Sequence, residues 1–272
     1  MDEEQLIEEK TTVCAARGLV RSPDGTRIAY ERYGDGPPVI LVSGALGTAG
    51  SERPLAGLLA RRFSVVAYDR RGRGASGDEG PYAVEREIAD LAALVDAVGG
   101  AAGTAAVHGT ACGGALALAA AAAGVPVGPV SVYEPPYGSE AAARRGRVRA
   151  LLDRGRRGEA LDLLLGDGAG LPAQPRPVLE ALTHTLAYDD AVVGDGSVPA
   201  ARLGRVHARV LVVDGGASPS WTRRVARTVA ATVPRGRHRT LTGQTHQVAP
   251  HVLAPVIEEF LEDCLEQEPA GR

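Results

Sequence analysis

The sequence GTACGG at positions 109–114 sets small residues between a short apolar run and an alanine-rich stretch. Small side chains permit a sharp turn from strand to helix that pushes the central side chain outward. Ala111 is at the centre, and its methyl group has neither a lone pair to attack a carbonyl nor a proton to give to a base. The neighbouring Cys112 carries a thiol, which is chemically capable of attack, although packing as a small hydrophobe is the commoner role for such a residue. A covalent acyl-enzyme route through position 111 is therefore closed.

A second polar loop, LTGQTH at positions 241–246, follows a predicted strand near the end of the chain. Its His246 is suited to acid–base work because the imidazole exchanges protons near neutral pH. His184 could line a pocket. The other four histidines are interpreted as surface, capping or packed residues: His108, His207, His238 and His251.

The elements that must position these loops follow an alternating pattern of short β-branched runs and alanine- or leucine-rich stretches of helical period. This pattern predicts an α/β fold, with a largely parallel sheet and helices on both of its faces. Strands are predicted at 27–33, 38–43, 63–68, 105–108, 127–133, 210–213 and 239–241. Helices are predicted near 54–61, 84–98, 113–123 and 252–265. We expect the first two strands to be hairpin neighbours across the turn GDGP at 34–37.

Between Tyr133 and Val210 the chain becomes rich in arginine and is punctuated by glycine and proline, with helical pieces at 148–165 and 178–188. This stretch is too long for a loop and predicts a helical cap over the carboxyl ends of the strands. The predicted division is a core at 1–134, a cap at 135–208 and the rest of the core at 209–272. The cap arginines are interpreted as a solvated face, while one turned inward could hold a substrate carboxylate. They are Arg144, Arg145, Arg147 and Arg149.

Several of these segments together resemble the α/β-hydrolase superfamily. The turn at 109–113 looks like its nucleophile elbow G-x-S-x-G, with Ala111 in the place of serine. The sequence DRRGRGAS at 69–76 closely resembles the family turn D-x-R-G-x-G-x-S. Segments 82–87, 133–136, 184–189 and 214–219 look like a group of actinobacterial-type hydrolases whose elbow normally carries serine. The resemblance implies a mostly parallel central sheet flanked by helices, with a helical cap.

The resemblance also assigns roles to residues outside the elbow. His246 occupies the position of the catalytic histidine, and Glu134 at a strand end is the preferred acid to orient it. Asp214 is the alternative acid, because Ser218 stands where the family usually has aspartate. The backbone N–H groups of Ala45 and Cys112 are the expected donors of an oxyanion hole. Ser43, Leu46 and His184 are expected to contact substrate.

Three interpretations of Ala111 stay open. The first is an enzyme of lyase, cyclase or isomerase type, in which His246 performs non-covalent acid–base chemistry on a small carbonyl compound. The second is a pseudoenzyme that binds a ligand or a partner protein. The third is a serine ester or lactone hydrolase inactivated by a serine-to-alanine substitution at position 111.

The composition limits the classes of molecule that this protein is expected to bind. A formal net charge of −3, with arginines scattered among acids, gives no reason to invoke nucleic acid or an anionic membrane. Three distant cysteines and an acidic N-terminus favour a cytoplasmic protein without a disulfide framework or a metal site. No phosphate-binding or redox motif argues for a cofactor. We therefore expect a small-molecule substrate or ligand, while the oligomeric state is not determined by the sequence.

Overall fold

An eight-stranded sheet forms the centre of the computed structural model, which describes residues 16–100, 103–166 and 174–267. The strands lie in the order β1-β2-β4-β3-β5-β6-β7-β8; the pairs β1·β2 and β2·β4 are antiparallel and the others are parallel. The predicted α/β class is thereby confirmed. The strands are β1 (Ala16–Arg21), β2 (Arg27–Tyr33), β3 (Pro38–Val42), β4 (Ser64–Tyr68), β5 (Ala105–Thr110), β6 (Val127–Tyr133), β7 (Val210–Gly215) and β8 (Gly236–Leu241).

The predicted hairpin between β2 and β3 is wrong, because β4 lies between these two strands. In the register, Tyr68 pairs with Tyr30 on one side, and Val65 pairs with Val39 on the other. The glycine turn does not fold β3 back onto β2. It passes so close to the chain before β4 that a Cβ built on Gly36 would lie 1.9 Å from the carbonyl oxygen of Arg62. β1, which sequence analysis missed, is a mostly exposed edge strand with little apolar pattern to reveal it.

Helices cover both faces of the sheet, and alternate residues of each strand point to opposite faces. On one face, α2 (Val84–Val98), α3 (Cys112–Ala122) and α9 (Ser220–Thr232) share a buried core with Val107 and Val212. On the other face, α1 (Ala49–Leu59) and α10 (Pro250–Glu266) pack with Leu41 and Val213. In α3 every residue from Cys112 to Ala121 is buried, which explains its alanine-rich sequence.

A helical insertion, defined here as residues 139–203, connects β6 to β7. It contains α4 (Ser139–Leu152), α5 (Arg157–Gly166), α6 (Arg176–Ala181), a 3₁₀ turn (Leu182–Thr185), α7 (Leu186–Val193) and α8 (Ala200–Leu203). The piece predicted at 148–165 is two helices, because the chain turns at Gly155 with a φ of 69°. The insertion has its own apolar cluster, which includes Leu161, Leu179 and also Leu46 from the loop after β3.

Candidate active site

Ala111 occupies a strained turn between β5 and α3. Its φ of 49° and ψ of −118° are unfavourable for a residue that carries a Cβ. The glycines around it are required by space: a Cβ on Gly113 would lie 2.1 Å from the carbonyl oxygen of Val42, and one on Gly109 would lie 2.5 Å from that of Gly113. The backbone therefore keeps the sharp strand-to-helix geometry although the central side chain is a methyl group.

The methyl group of Ala111 faces a cavity of about 690 Å³. Ala45, Cys112, Glu134 and His246 line the same cavity, so the structure brings together most of the residues that the sequence singled out. The cavity is also bounded by α4 and α7 of the helical insertion. A small or medium-sized organic molecule fits a space of this volume.

His246 and Glu134 form a hydrogen-bonded pair at the edge of this cavity. Nδ1 of His246 lies 2.7 Å from Oε2 of Glu134, and the carboxylate is 1% exposed while the imidazole is 32% exposed. The backbone N–H of Gly215 donates to Oε1 of Glu134 at 2.9 Å. Burial would raise the pKa of Glu134, but the hydrogen bonds from His246 and Gly215 outweigh it, so the pKa is lowered. Glu134 is therefore an anion that can orient the imidazole.

Hydrogen bonds from neighbouring segments hold the loop that carries His246. The Tyr133 hydroxyl donates to the carbonyl oxygen of Thr245. The backbone N–H of Ala217 donates to the carbonyl oxygen of Gln244, whose side chain accepts from the N–H of Ala249. These bonds fix both ends of the loop, so the histidine is presented by a rigid support.

Asp214 does not orient His246, which corrects the alternative assignment. Its Oδ2 lies 2.6 Å from Nε2 of His238, a residue interpreted from sequence as superficial. Asp214 pairs with Thr240 and Val212 pairs with His238 in the β7·β8 ladder, so Asp214 and His238 are diagonal neighbours on one face of the sheet. This carboxylate is fully buried and contacts His238, whereas the carboxylate of Glu134 contacts His246.

The thiol of Cys112 is a poor nucleophile in this setting. The residue is 7% exposed, and burial raises the pKa of its thiol to about 12. Only a thiolate attacks efficiently, and at such a pKa almost none is present near neutral pH. The backbone is different, because the N–H of the first residue of α3 has no carbonyl within the helix to receive it.

The loop after β3 lies against the elbow. A Cβ built on Gly44 would come within 3.5 Å of the Cβ of Ala111, and Ala45 lines the cavity. Among the residues that the structure describes, none accepts a hydrogen bond from the backbone N–H of Ala45. The N–H of Cys112 likewise has no acceptor among these residues.

Three residues expected to contact substrate do not line the cavity. Ser43 is fully buried beside Gly47, where a Cβ would lie 2.7 Å from the Cβ of Ser43. Leu46 is fully buried against the helical insertion. His184 is half exposed, with Nδ1 3.0 Å from the carbonyl oxygen of Ala181. The loop after β3 offers its backbone to the cavity, whereas its larger side chains pack elsewhere.

A buried ionic cluster supports the loop after β3, and sequence analysis missed it. Arg70 pairs with Glu87 at 2.6 Å and with Asp189 at 2.7 Å. Arg73 donates to both oxygens of Asp189, at 2.9 and 3.0 Å, and to the carbonyl oxygen of Gly44 at 2.6 Å. Both guanidinium groups are fully buried. Three arginines within the short turn at 69–76 could have indicated this cluster, since so many positive charges in a tight turn need acidic partners.

Charged residues of α4 and α1 also reach the cavity. Arg144, Arg145 and Arg149 line it, and the first two are half buried, so only part of this arginine group is the solvated face that was expected. Arg145 and Arg149 both pair with Asp190, at 3.1 and 2.9 Å. Glu52 of α1 lines the cavity as well, and no motif around it distinguishes it from other glutamates of the chain. Across residues 16–100, 103–166 and 174–267, no three histidine, cysteine or acidic residues are grouped to hold a metal ion.

Comparison with known proteins identifies the family. The model of the "Alpha/beta hydrolase family" matches residues 39–256, which is most of the chain. This chain belongs to that family. An α/β hydrolase from Sphaerobacter thermophilus is 48% identical over 90% of this chain and all of its own, with a TM-score of 0.80. In the described part of our α/β hydrolase, no helix is both long and apolar enough to cross a membrane.

Two curated proteins are similar over part of their length. The "Polyketide synthase ThaQ" of Burkholderia thailandensis is 30% identical over 93% of this chain, which corresponds to 13% of that protein. The "Putative carbamate hydrolase RutD" of Azorhizobium caulinodans is 42% identical over 26% of this chain and 27% of its own. The chain thus spans about an eighth of the first relative and matches about a quarter of the second.

Proposed function

We propose that this α/β hydrolase performs non-covalent acid–base chemistry of lyase, cyclase or isomerase type on a small carbonyl compound. The observation that carries the proposal is the His246–Glu134 pair, at 2.7 Å, on a cavity in which Ala111 replaces the nucleophile. A family member that had lost all use for its site would have no need of a buried glutamate bonded to this histidine. The retained pair supports proton transfer without an acyl-enzyme.

The proposed chemistry follows from the hydrogen bonding of His246. Because Glu134 is an anion, it takes the hydrogen of Nδ1, which leaves the lone pair on Nε2 to remove a proton. Removal of a proton beside a carbonyl moves negative charge onto the carbonyl oxygen. The N–H groups of Ala45 and Cys112 are the proposed donors to that oxygen, which would stabilise the charge as it develops.

The substrate class is proposed from the walls of the cavity and from one relative. Apolar residues such as Leu55, Val148, Leu164 and Leu186 line much of the cavity. The similarity to part of a protein named as a polyketide synthase makes a polyketide-type compound, with carbonyls at alternate carbons, the first substrate to test. Such compounds are acidic at the carbon between two carbonyls, which suits a histidine base.

A serine hydrolase that has lost its nucleophile is the second candidate. The positive φ at Ala111 favours it, because this strained conformation serves to present a nucleophile in the family elbow. The unaltered protein separates the two candidates, since an inactivated hydrolase turns over its ester only after Ala111 is replaced by serine. The non-covalent enzyme acts with alanine in place.

The test of the first candidate is hydrogen–deuterium exchange at the acidic carbon of the acetoacetyl thioester of N-acetylcysteamine, followed by proton NMR. We expect the protein to accelerate the exchange above buffer and H246A to lose about 10²-fold or more of that acceleration. H251A is the control, because His251 is an exposed histidine outside the cavity. Equal exchange by H246A and the unaltered protein would overturn the proposal.

A further inference from the structure

Glu52 is a carboxyl group of the cavity that has no role in proton abstraction by His246. It lies in the first turn of α1 and lines the cavity together with Ala45, Ala111 and His246. Within the described part of the chain, Glu52 has no hydrogen bond and no ion pair. Glu134, which lines the same cavity, is by contrast held by His246. Glu52 thus differs from Glu134, Asp189 and Asp190, which are all ion-paired at this cavity.

The surroundings of Glu52 favour its neutral form. Glu52 is half-buried, and this burial raises its pKa to about 7, because a carboxylate loses much of its hydration there. The neighbouring Arg53 does not compensate, since it donates to Glu31 at 2.6 and 2.9 Å. The other charged or titratable side chains that line the cavity are Cys112, Glu134, Glu140, Arg144, Arg145, Arg149, Asp153, Asp189, Asp190 and His246. Arg145 and Arg149 are themselves held by Asp190.

The strand order shows which segments bring Glu52 and His246 to the elbow. The loop and helix that carry Glu52 follow β3, which is one neighbour of β5 in the sheet. Glu134 follows β6, the other neighbour of β5, and His246 follows β8 at the far edge. Ala111 ends β5 between them. All three segments reach one cavity, so a substrate above Ala111 can contact both the carboxyl group of Glu52 and the imidazole of His246.

We propose that Glu52 is the proton donor of this site and that its substrates are enolisable carbonyl compounds; this inference rests on the proposed function. Nε2 of His246 takes the proton from the carbon beside the carbonyl, and the electron pair of that C–H bond forms the C=C bond of an enolate. Glu52 gives its proton to the enolate oxygen, so a neutral enol, an imidazolium and a carboxylate result. Where a second C=C bond is conjugated with the enol, the imidazolium returns its proton to the far carbon of that dienol while Glu52 recovers the oxygen proton, which completes an isomerisation.

Two measurements on E52Q test this inference. The first is the exchange of the acetoacetyl thioester of N-acetylcysteamine, measured from pH 5 to 9. The second needs no turnover: an infrared difference spectrum between the unaltered protein and E52Q follows the protonated carboxyl band with pH. E85Q is the matched control, because Glu85 is also an acid in the first turn of a helix but is exposed and outside the cavity.

For E52Q we expect a loss of about 10²-fold in the catalysed exchange, together with loss of the decline in rate above pH 7. E85Q should match the unaltered protein. The infrared band should disappear with a midpoint near pH 7. An E52Q rate and pH profile equal to those of the unaltered protein, while H246A is inactive, would overturn the role of Glu52 alone. Absence of exchange by the unaltered protein would overturn the proposed function and this inference with it, whereas the infrared midpoint would still report the state of Glu52.

Discussion

Asp189 on α7 accepts two hydrogen bonds from Arg73, at 2.9 and 3.0 Å, at the wall of the cavity. The same guanidinium donates to the carbonyl oxygen of Gly44, the residue before Ala45. The helical insertion is therefore connected to the loop after β3 by a buried charged group. A shift of α7 would move the backbone that presents the N–H of Ala45.

D189N tests this connection. It leaves two buried guanidinium groups with half of their anionic partners, so we expect a loss of about 3 to 5 kcal/mol in the free energy of unfolding, measured by urea denaturation. D162N is the control, because Asp162 pairs with Arg176 at an exposed site, where solvent screens the pair and we expect no measurable loss. Equal effects of the two substitutions would contradict the buried cluster as a support.

A111S tests whether the rest of the hydrolase machinery is intact. The elbow already has the required φ, and His246 lies on the same cavity, so we expect hydrolysis of p-nitrophenyl acetate about 10²-fold or more above the unaltered protein. A fluorophosphonate probe should label A111S and not the unaltered protein. If A111S neither hydrolyses the ester nor reacts with the probe, the oxyanion hole or the histidine is out of position.

The pair E134Q and D214N tests which acid serves His246. In E134Q the amide cannot stabilise an imidazolium as the carboxylate does, so we expect a loss of about 10² to 10⁴-fold in the deuterium exchange. D214N should leave the exchange rate of folded protein unchanged, because Asp214 bonds to His238. A larger loss for D214N than for E134Q would reverse the assignment.

Alkylation tests the state of Cys112. At pH 8 its thiol is almost entirely protonated, because its pKa is near 12, and it is buried. We expect iodoacetamide to leave the peptide that contains Cys112 unmodified in native protein and to modify it in urea, as read by peptide mass spectrometry. Rapid native alkylation at Cys112, with loss of activity, would restore the thiol as a candidate nucleophile.

The dependence of stability on pH tests the burial of Glu52. Its pKa is about 7 in the folded state against 4.5 for an ordinary glutamate, so the folded chain binds more protons between these values. The extra bound proton stabilises the folded state. This stabilisation is complete below about pH 4.5, falls as the pH rises towards 7, and is absent above it. We expect E52Q to gain on the order of 2 kcal/mol relative to the unaltered protein between pH 4.5 and 8, measured by urea unfolding. A constant difference would show that the carboxyl group is hydrated.

Much of the fold could be predicted from short patterns. The boundaries predicted for α2, residues 84–98, agree with the structure, because apolar residues at helical spacing mark a helix that packs on a sheet. The neighbour of β2 could not be predicted, since strand pairing depends on how distant segments pack. The direction of the Ser43 and Leu46 side chains could not be predicted for the same reason. The sequence located their loop, but both side chains are buried in the interior.

The sequence by itself determined that residue 111 cannot act as a nucleophile, and it located the loops that surround the cavity. Ala111 has no nucleophilic atom in any conformation, and the small residues at 109–114 permit only a tight turn. Only the tertiary structure decided that Glu134 rather than Asp214 meets His246, that Asp189 holds Arg70 and Arg73, and that Glu52 faces the cavity. These partners are far apart along the chain, and both contact and burial arise only when the sheet and the helical insertion pack together. A residue type reveals what a group can do, whereas its neighbours in space decide its charge and its partner.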